Sequence, residues 1–409
     1  MKDFAQPVAQ ELLNIEDKSR SNLFAWRGQF SPQLIECLLD AYCLPESVVL
    51  DPFAGSGTVL FESATKSLRA FGFEVNPAAW CFSKLYEFAN IPPETRERHI
   101  VELRRRIEAE FPIILFSDQT LSHEDVQERI IRIGKSIGDK AKILCNALIV
   151  LLDIYNNRLS NDMVQGKLIA LAQLVRRLPY STAEIKADLQ DARSLPLADQ
   201  SIDFVITSPP YINVFNYHQN YRRSVEVLGW DLLRVARSEI GSNRANRGNR
   251  FYTVVQYCID MANVLQELAR VLKPHARAVF IVGYESRVLG APFHNAEIVN
   301  AIANELKMFS TVLRQQRVFT NRFGQAIRED ILNLTREAHI DGSNLPLAVG
   351  RRVAEDALRH AIDQTPKKNQ ASLMDALSSL SRIKGTPLFN SFSYDEYHTH
   401  DSVMMVKER

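Results

Sequence analysis

The first ninety residues alternate short apolar runs with stretches of helical periodicity. Apolar positions recur every three or four residues in SPQLIECLLDAY (31–42), which predicts a helix after a Ser-Pro start. The β-branched run at 48–50 leads into DPFAGSG and a helix-compatible stretch. A second strand ends at Glu74 and precedes a helix that opens near Pro77. This pattern predicts a strand-helix-strand-helix unit.

The pattern changes in the middle of the chain and then resumes. Long charged helices without strand signals fill 91–182, which we interpret as a helical insertion. The strands of AEIKADLQDARSLPLADQSIDFVIT follow, then a helix ending ELARVLKPHA and the strand RAVFIVG. FSTVLRQQRVF and REDILNLTR are expected to form an antiparallel edge pair. We therefore predict an α/β fold with a doubly wound, mostly parallel sheet, in segments 1–90, 91–182, 183–338 and a helical C-terminal extension, 339–409.

Net charge, cysteine spacing and the length of apolar runs indicate which partners the chain could bind. The chain has 409 residues, 46% hydrophobic and 24% charged, with a formal net charge of +1, so any nucleic-acid surface must be local. Its five cysteines stand singly, without metal-ligand spacing, which predicts reduced thiols and no metal site. The absence of a run of 18 apolar residues and of an apolar N-terminal region predicts a cytoplasmic protein without membrane contact.

The loop DPFAGSG carries the first candidate ligand site. Gly55 and Gly57 allow a sharp turn and a close approach to a ligand, although an ordinary tight turn is the alternative interpretation. Position 60 is Leu, so the third glycine of a dinucleotide fingerprint is missing. Glu74, at the end of the second strand, is placed to accept ribose hydroxyls. Asp191 follows the third strand and could hold an adenine amine, or it could simply cap a turn.

The stretch TSPPY at 207–211 carries the second candidate site. An amine attached to an aromatic ring is a poor nucleophile, and acceptors aimed at its N–H bonds would draw the nitrogen toward tetrahedral geometry. Ser208 Oγ and the Pro209 carbonyl are candidates, Pro210 stiffens the loop, and the Tyr211 ring offers a stacking face. A simple strand terminator is the alternative. The stretch follows a strand expected to lie beside the first one, which places both loops at one crevice.

Residues 212–252 form a local basic segment. Seven arginines stand against three acids, interleaved with Phe215, Tyr217, Tyr221 and Trp230. Arginine suits phosphates and guanine edges, and aromatic rings suit an extruded base, so we predict a nucleic-acid contact here. A solvated arginine face is the alternative. The predicted DNA-binding residues are Tyr217, Arg222, Arg223, Arg244, Arg247 and Arg250.

These motifs together resemble a known family. DPFAGSGT, FEVNP, QDA, TSPPY, RVLKP and VFIVG occur in an order similar to that of the S-adenosylmethionine-dependent DNA methyltransferases that methylate cytosine N4 or adenine N6. The resemblance covers 26–90 and 184–336 and includes WRGQFSPQLI. It implies a Rossmann-like class I methyltransferase fold, S-adenosylmethionine as cofactor and double-stranded DNA with a flipped base as substrate. The helical insertion departs from the family pattern.

The resemblance also implies roles for individual residues. Ser208, Pro209, Pro210 and Tyr211 would form the catalytic loop, and a serine in its first position favours cytosine N4. The alternatives are adenine N6, then a base amine in RNA, then a non-catalytic subunit that binds a partner. A restriction endonuclease acting on the same sequence is a partner expected by analogy. The implied cofactor-binding residues are Phe30, Asp51, Phe53, Gly55, Gly57, Thr58, Glu74 and Asp191.

Overall fold

The structure, a computed structural model, describes most of the chain and nine strands within it. The described residues are 5–15, 19–20, 22–24, 26, 29–113, 120–154, 156–212, 219–242, 246, 248–321, 324–340 and 342–389. The strands are β1 (Val48–Asp51), β2 (Arg69–Glu74), β3 (Ile185–Leu189), β4 (Ile202–Thr207), β5 (Leu272–Gly283), β6 (Ser286–Val288), β7 (Ala291–Phe293), β8 (Phe309–Thr320) and β9 (Ala326–Arg336).

Seven of these strands form one sheet in the order β3-β2-β1-β4-β5-β9-β8. Neighbours from β3 to β5 are parallel, whereas β9 runs antiparallel to both β5 and β8. The order reverses beside β1, so the sheet is wound in both directions from that strand. The predicted doubly wound, mostly parallel sheet and its antiparallel edge pair are confirmed. A separate two-stranded ribbon, β6 with β7, was not predicted.

Helices cover both faces of the sheet. They are α1 (Gln10–Asn14), α2 (Pro32–Tyr42), α3 (Thr58–Thr65), α4 (Pro77–Ser83), a 3-10 helix (Lys84–Asn90), α5 (Pro93–Glu110), α6 (His123–Lys135), α7 (Asp139–Leu152), α8 (Asn161–Arg177), α9 (Arg222–Val227), α10 (Leu232–Val235), α11 (Phe251–Val271), α12 (Asn295–Leu306), α13 (Pro346–His360) and α14 (Lys367–Ser378). The sequence pattern extends α11 to the end of ELARVLKPHA, five residues further than the structure does. The helix ends at Val271, because Pro274 cannot continue it and Leu272 already pairs with Ile202 of β4.

The helices at 93–177 and the C-terminal helices share their cores with the sheet. Ile100 of α5 and Leu148 of α7 belong to the same hydrophobic cluster as Val49 of β1. On the opposite face, α13 packs so closely on α11 that a Cβ at Gly350 would lie 2.6 Å from the Ile259 Cα. Both additions therefore extend the hydrophobic clusters that lie on the two faces of the sheet.

The register of the central strands places two loops side by side. Val49 and Leu50 of β1 pair with Phe204 and Val205 of β4 in parallel. The loops that follow these strands consequently emerge at the same edge of the sheet, where ligands bind in open α/β folds. No helix among the described residues is long and apolar enough to cross a membrane.

Candidate active site

Loops from the carboxyl ends of four parallel strands, β1 to β4, surround a single cavity. The space between these loops amounts to about 850 Å³ when the part that is open to solvent is included. The catalytic and glycine loops predicted from the sequence both line it, together with two segments before α2 and α11. The lining residues are Trp26, Gln29, Phe30, Pro52, Phe53, Ala54, Gly55, Ser56, Thr58, Glu74, Val75, Asn76, Asp191, Ala192, Ser208, Pro210, Ser238, Glu239 and Ile240.

Glu74 organises the glycine loop from the end of β2. Its Oε2 accepts the Gly55 N–H at 2.9 Å, and its Oε1 accepts the N–H groups of Val75 and Asn76 at 3.0 and 2.8 Å. Desolvation raises its pKa to about 7, against the lowering effect of these bonds. A carboxylate has about four acceptor positions, and three are occupied by these described backbone groups. The remaining position on Oε2 can accept a ligand hydroxyl.

The two glycines of the loop are required for different reasons. Gly55 lines the cavity with φ +51°, and a Cβ there would lie 3.6 Å from the Trp26 ring, an ordinary contact. Gly57 has φ +91° and lies behind the lining. A Cβ there would lie 2.6 Å from the Tyr86 ring and 3.0 Å from the Ser83 Cα. Gly57 is thus required by the packing of the loop on the 3-10 helix, while Gly55 faces the ligand space.

Asp51 joins the two loops from beneath the cavity. Its Oδ1 accepts the Thr207 hydroxyl at 2.7 Å and the Phe53 N–H at 3.1 Å, so it connects the end of β1 to the end of β4. Asp51 is buried and lies outside the lining, and burial raises its pKa to about 7. Its position is that of a residue that holds the glycine loop and TSPPY in register.

The SPPY loop, which the sequence predicts to be catalytic, lines the same cavity as the glycine loop. Ser208 and Pro210 line the cavity, and Ser208 Oγ lies 3.4 Å from the Tyr211 hydroxyl. Two glycines leave the space that the Tyr211 backbone and ring occupy. A Cβ at Gly241 would lie 2.6 Å from the Tyr211 carbonyl oxygen, and one at Gly283 would lie 2.9 Å from its ring. The position of the ring therefore depends on the absence of side chains on β5 and on the turn before α11.

Asp191 lines the cavity but is already fully hydrogen-bonded. Its Oδ1 accepts the Arg193 backbone N–H and Nε, and its Oδ2 accepts Arg193 Nη2 at 2.7 Å and the Phe389 N–H at 2.9 Å. Arg193 also binds Asp260 and the Thr386 carbonyl and hydroxyl oxygens. These bonds take the four acceptor positions of the carboxylate. The adenine contact stays a prediction, and it requires that one of these bonds be released.

The basic segment is described only in part. Tyr217, Arg244 and Arg247 lie outside the described residues, while Arg223 and Arg250 are exposed on the surface. Arg222 forms an ion pair with Glu226 one helical turn away, at 2.7 Å. The DNA contacts of this segment therefore stay a prediction.

Two aromatic residues of the segment do not fit the expectation of free stacking faces. Trp230 is buried against the edge of Trp80, with ring centroids 6.4 Å apart. Tyr221 stacks on Trp26 at 6.2 Å and meets the edge of Phe82. The buried Trp230 is therefore not available to an extruded base, whereas the half-buried Tyr221 uses the face that lies on Trp26 in packing.

Sequence reasoning missed several lining residues. Trp26 and Gln29 precede the predicted Phe30, and Gln29 accepts the Ser56 hydroxyl at 2.8 Å. The neighbouring Thr58 donates to Asn22 Oδ1 at 2.9 Å, which ties the glycine loop to the segment before α2. Ser238–Ile240 belong to the segment read only as a DNA contact. The glycine at 241, with φ +74°, is the local signal that could have marked this turn.

The residues present fit S-adenosylmethionine. The cavity offers aromatic faces at Trp26 and Phe30 and an open acceptor position at Glu74. The carboxylates of Glu74 and Glu239 line it beside the hydrogen-bonded Asp191, which suits a ligand that carries positive charge. Phe53, Gly55 and Thr58 complete the wall between β1 and α3. Within the described residues, no group of three His, Cys, Asp or Glu side chains could hold a metal ion.

Comparison with known proteins agrees with this site. Residues 9–80 match the family model described as DNA methylase, N6_N4_Mtase. The Type II methyltransferase M.MjaII of Methanocaldococcus jannaschii is 28% identical over 72 residues, which cover 17% of this chain and 14% of that protein. The chain thus spans about a seventh of the length of this curated relative.

Solved structures show only distant likeness. A SAM-dependent methyltransferase of Methanosarcina mazei gives a TM-score of 0.36 at 11% identity, covering 74% of this chain and 98% of that one. The rRNA methyltransferase aviRa of Streptomyces viridochromogenes gives 0.32 at 15% identity, covering 77% and 89%. TM-scores below 0.5 do not establish a shared fold, so the fold class is assigned from the strand order described above. Residues 9–80 are thus similar to the amino-methylating DNA methyltransferases, and S-adenosylmethionine is the cofactor that this similarity supports.

Proposed function

We propose that this protein is a DNA methyltransferase that transfers a methyl group from S-adenosylmethionine to the exocyclic N4 of a flipped cytosine in duplex DNA. One observation carries the proposal: the glycine loop with Glu74 and the SPPY loop line the same cavity. S-adenosylmethionine, when bound, supplies an electrophilic methyl group on a sulfonium. The chain supplies the binding walls and the groups that orient the amine.

The catalytic loop acts by positioning the amine. Ser208 Oγ and the Pro209 carbonyl accept hydrogen bonds from the amine N–H groups, which draws the nitrogen lone pair out of conjugation with the ring. Tyr211 holds the base by stacking, in the place that Gly283 and Gly241 leave for it. The nitrogen gains the methyl group and loses one proton, which needs no strong base because the methylated amine is cationic. Fixed geometry in a dry cavity supplies most of the acceleration.

We propose the remaining roles from the position of each residue. Phe30, Phe53, Gly55 and Thr58 form the cofactor wall, and Glu74 binds the ribose. Gly57 and Asp51 act indirectly by shaping the two loops. The exposed Arg223 and Arg250, with the other predicted arginines, bind DNA phosphates or base edges. A restriction endonuclease of the same sequence specificity is the partner we propose for such an enzyme.

Nucleoside analysis tests the proposal directly. Methylation-free DNA is incubated with the protein and S-adenosylmethionine, digested, and analysed by mass spectrometry beside the variants Ser208→Ala and Tyr211→Ala. We expect N4-methylcytosine from the native protein and a loss of about 100-fold or more in each variant, the usual effect of removing a group that stabilises a transition state. N6-methyladenine would correct the base and keep the mechanism. No methylated nucleoside from the native protein would refute DNA methylation.

A further inference from the structure

A turn ahead of α11 adds the carboxylate of Glu239 to the lining of the cavity. Glu239 is only 5% exposed, and it lines the cavity together with Ser238, Ile240 and Glu74. The two carboxylates are close enough to interact. Desolvation raises the Glu74 pKa, its backbone hydrogen bonds lower it, and the charge of Glu239 raises it further. A buried cavity with two like charges favours a ligand that brings positive charge.

The turn adjoins the catalytic loop. Gly241, two residues after Glu239, has φ +74°, and a Cβ there would lie 2.6 Å from the Tyr211 carbonyl oxygen. The backbone of the turn thus touches the backbone of the loop that holds the amine. Glu74, by contrast, is attached to the glycine loop through three backbone N–H groups. The two carboxylates therefore belong to different walls of the cavity.

We propose that Glu239 is a cofactor-binding residue that recognises the positive charge of the sulfonium. This rests on the proposed function, since a methyl group that passes to an amine on the SPPY loop requires its sulfur to face that side of the cavity. Glu239 is the carboxylate of the lining that belongs to the segment touching that loop. It distinguishes the charged cofactor from its neutral product, S-adenosylhomocysteine, which keeps the ammonium group but has lost the charge on sulfur.

Calorimetric titration of the full chain with each of these two ligands tests the proposal. The variants are Glu239→Gln, which removes the charge at nearly constant volume, and Glu239→Asp, which keeps it. Glu226→Gln is the matched control, because Glu226 lies in the same segment and pairs with Arg222 outside the cavity. Thermal unfolding of each variant shows whether it is folded.

The ratio of the two dissociation constants is the informative quantity. For Glu239→Gln we expect Kd for S-adenosylmethionine to rise about 10- to 100-fold and Kd for S-adenosylhomocysteine to change less than about 3-fold, since a bond to a charged group is lost for one ligand only. Glu239→Asp should recover most of the preference, and Glu226→Gln should leave both constants unchanged. Equal changes for the two ligands, or no change, would overturn the role of Glu239. Binding of neither ligand by the native protein would overturn the proposed function itself.

Discussion

Replacing Gly57 by alanine should destabilise the fold far more than replacing Gly55. At Gly57 the backbone has φ +91°, which costs a residue with a Cβ about 1–2 kcal/mol. The new methyl group would also lie 2.6 Å from the Tyr86 ring and 3.0 Å from the Ser83 Cα, and such overpacking costs about 1–3 kcal/mol. The two effects together predict a loss of about 2–5 kcal/mol in the free energy of unfolding.

Gly55→Ala is the matched control for this substitution. It carries the φ penalty of about 1–2 kcal/mol alone, because its Cβ would meet the Trp26 ring at an ordinary 3.6 Å. Urea unfolding followed by tryptophan fluorescence compares the two variants. Cofactor titration should show the reverse order for binding, because Gly55 lines the cavity and Gly57 does not.

The packing explanation can be tested further with Tyr86→Leu. Combined with Gly57→Ala, this smaller side chain should cost less than the sum of the two single losses, because the clash with the ring is relieved. Strict additivity, or a Gly57→Ala loss no larger than that of Gly55→Ala, would refute the assignment of Gly57 to packing.

Three further predictions concern pH, the catalytic ring and the buried ion pairs. Burial raises the Asp51 pKa from 3.8 to about 7, so the folded state binds this proton more tightly than the unfolded state does. The free energy of unfolding should fall as pH rises from about 4 to 7, and Asp51→Asn should make that fall smaller, because Glu74 and Asp260 with similarly raised pKa values remain. Gly283→Ala should displace the Tyr211 ring and lower methylation about 10-fold or more while cofactor affinity, measured by calorimetry, stays unchanged. Arg193→Met should leave Asp191 and Asp260 buried without their cation and cost about 3–5 kcal/mol in urea unfolding, against less than about 1 kcal/mol for Arg222→Met, whose ion pair is only half-buried.

Local sequence patterns were sufficient to predict the parallel strands of the central sheet. Buried β-branched runs such as 48–50 and 202–207, each followed by a breaker, specify parallel strands through neighbouring residues alone. Because crossover connections between parallel strands are almost always right-handed, only a few strand orders then remain possible. The same locality made the glycine loop, Glu74 and the SPPY loop recognisable, since each lies directly after its strand.

Contacts between distant parts of the chain were not predictable in this way. Gly57 looks like a ligand glycine until the Tyr86 ring is found against it, and Trp230 looks available until Trp80 covers its edge. The segment that was read as a DNA contact also supplies Glu239 to the cofactor cavity. The periodicity of hydrophobic residues does not show which distant residues a loop side chain will contact in the folded protein.

Asp191 shows how the C-terminal extension enters the site. Its carboxylate receives the N–H of Phe389, 198 residues away, and its partner Arg193 is held by Thr386 and the buried Asp260. A ligand amine can reach Asp191 only if one of these bonds opens. Arg193 is fixed by two carboxylates and by backbone carbonyls, whereas Phe389 contributes a single bond to Asp191, so opening there costs least. The end of the cavity that Asp191 lines is therefore shaped by residues 386–389, a segment whose sequence carries no cofactor motif.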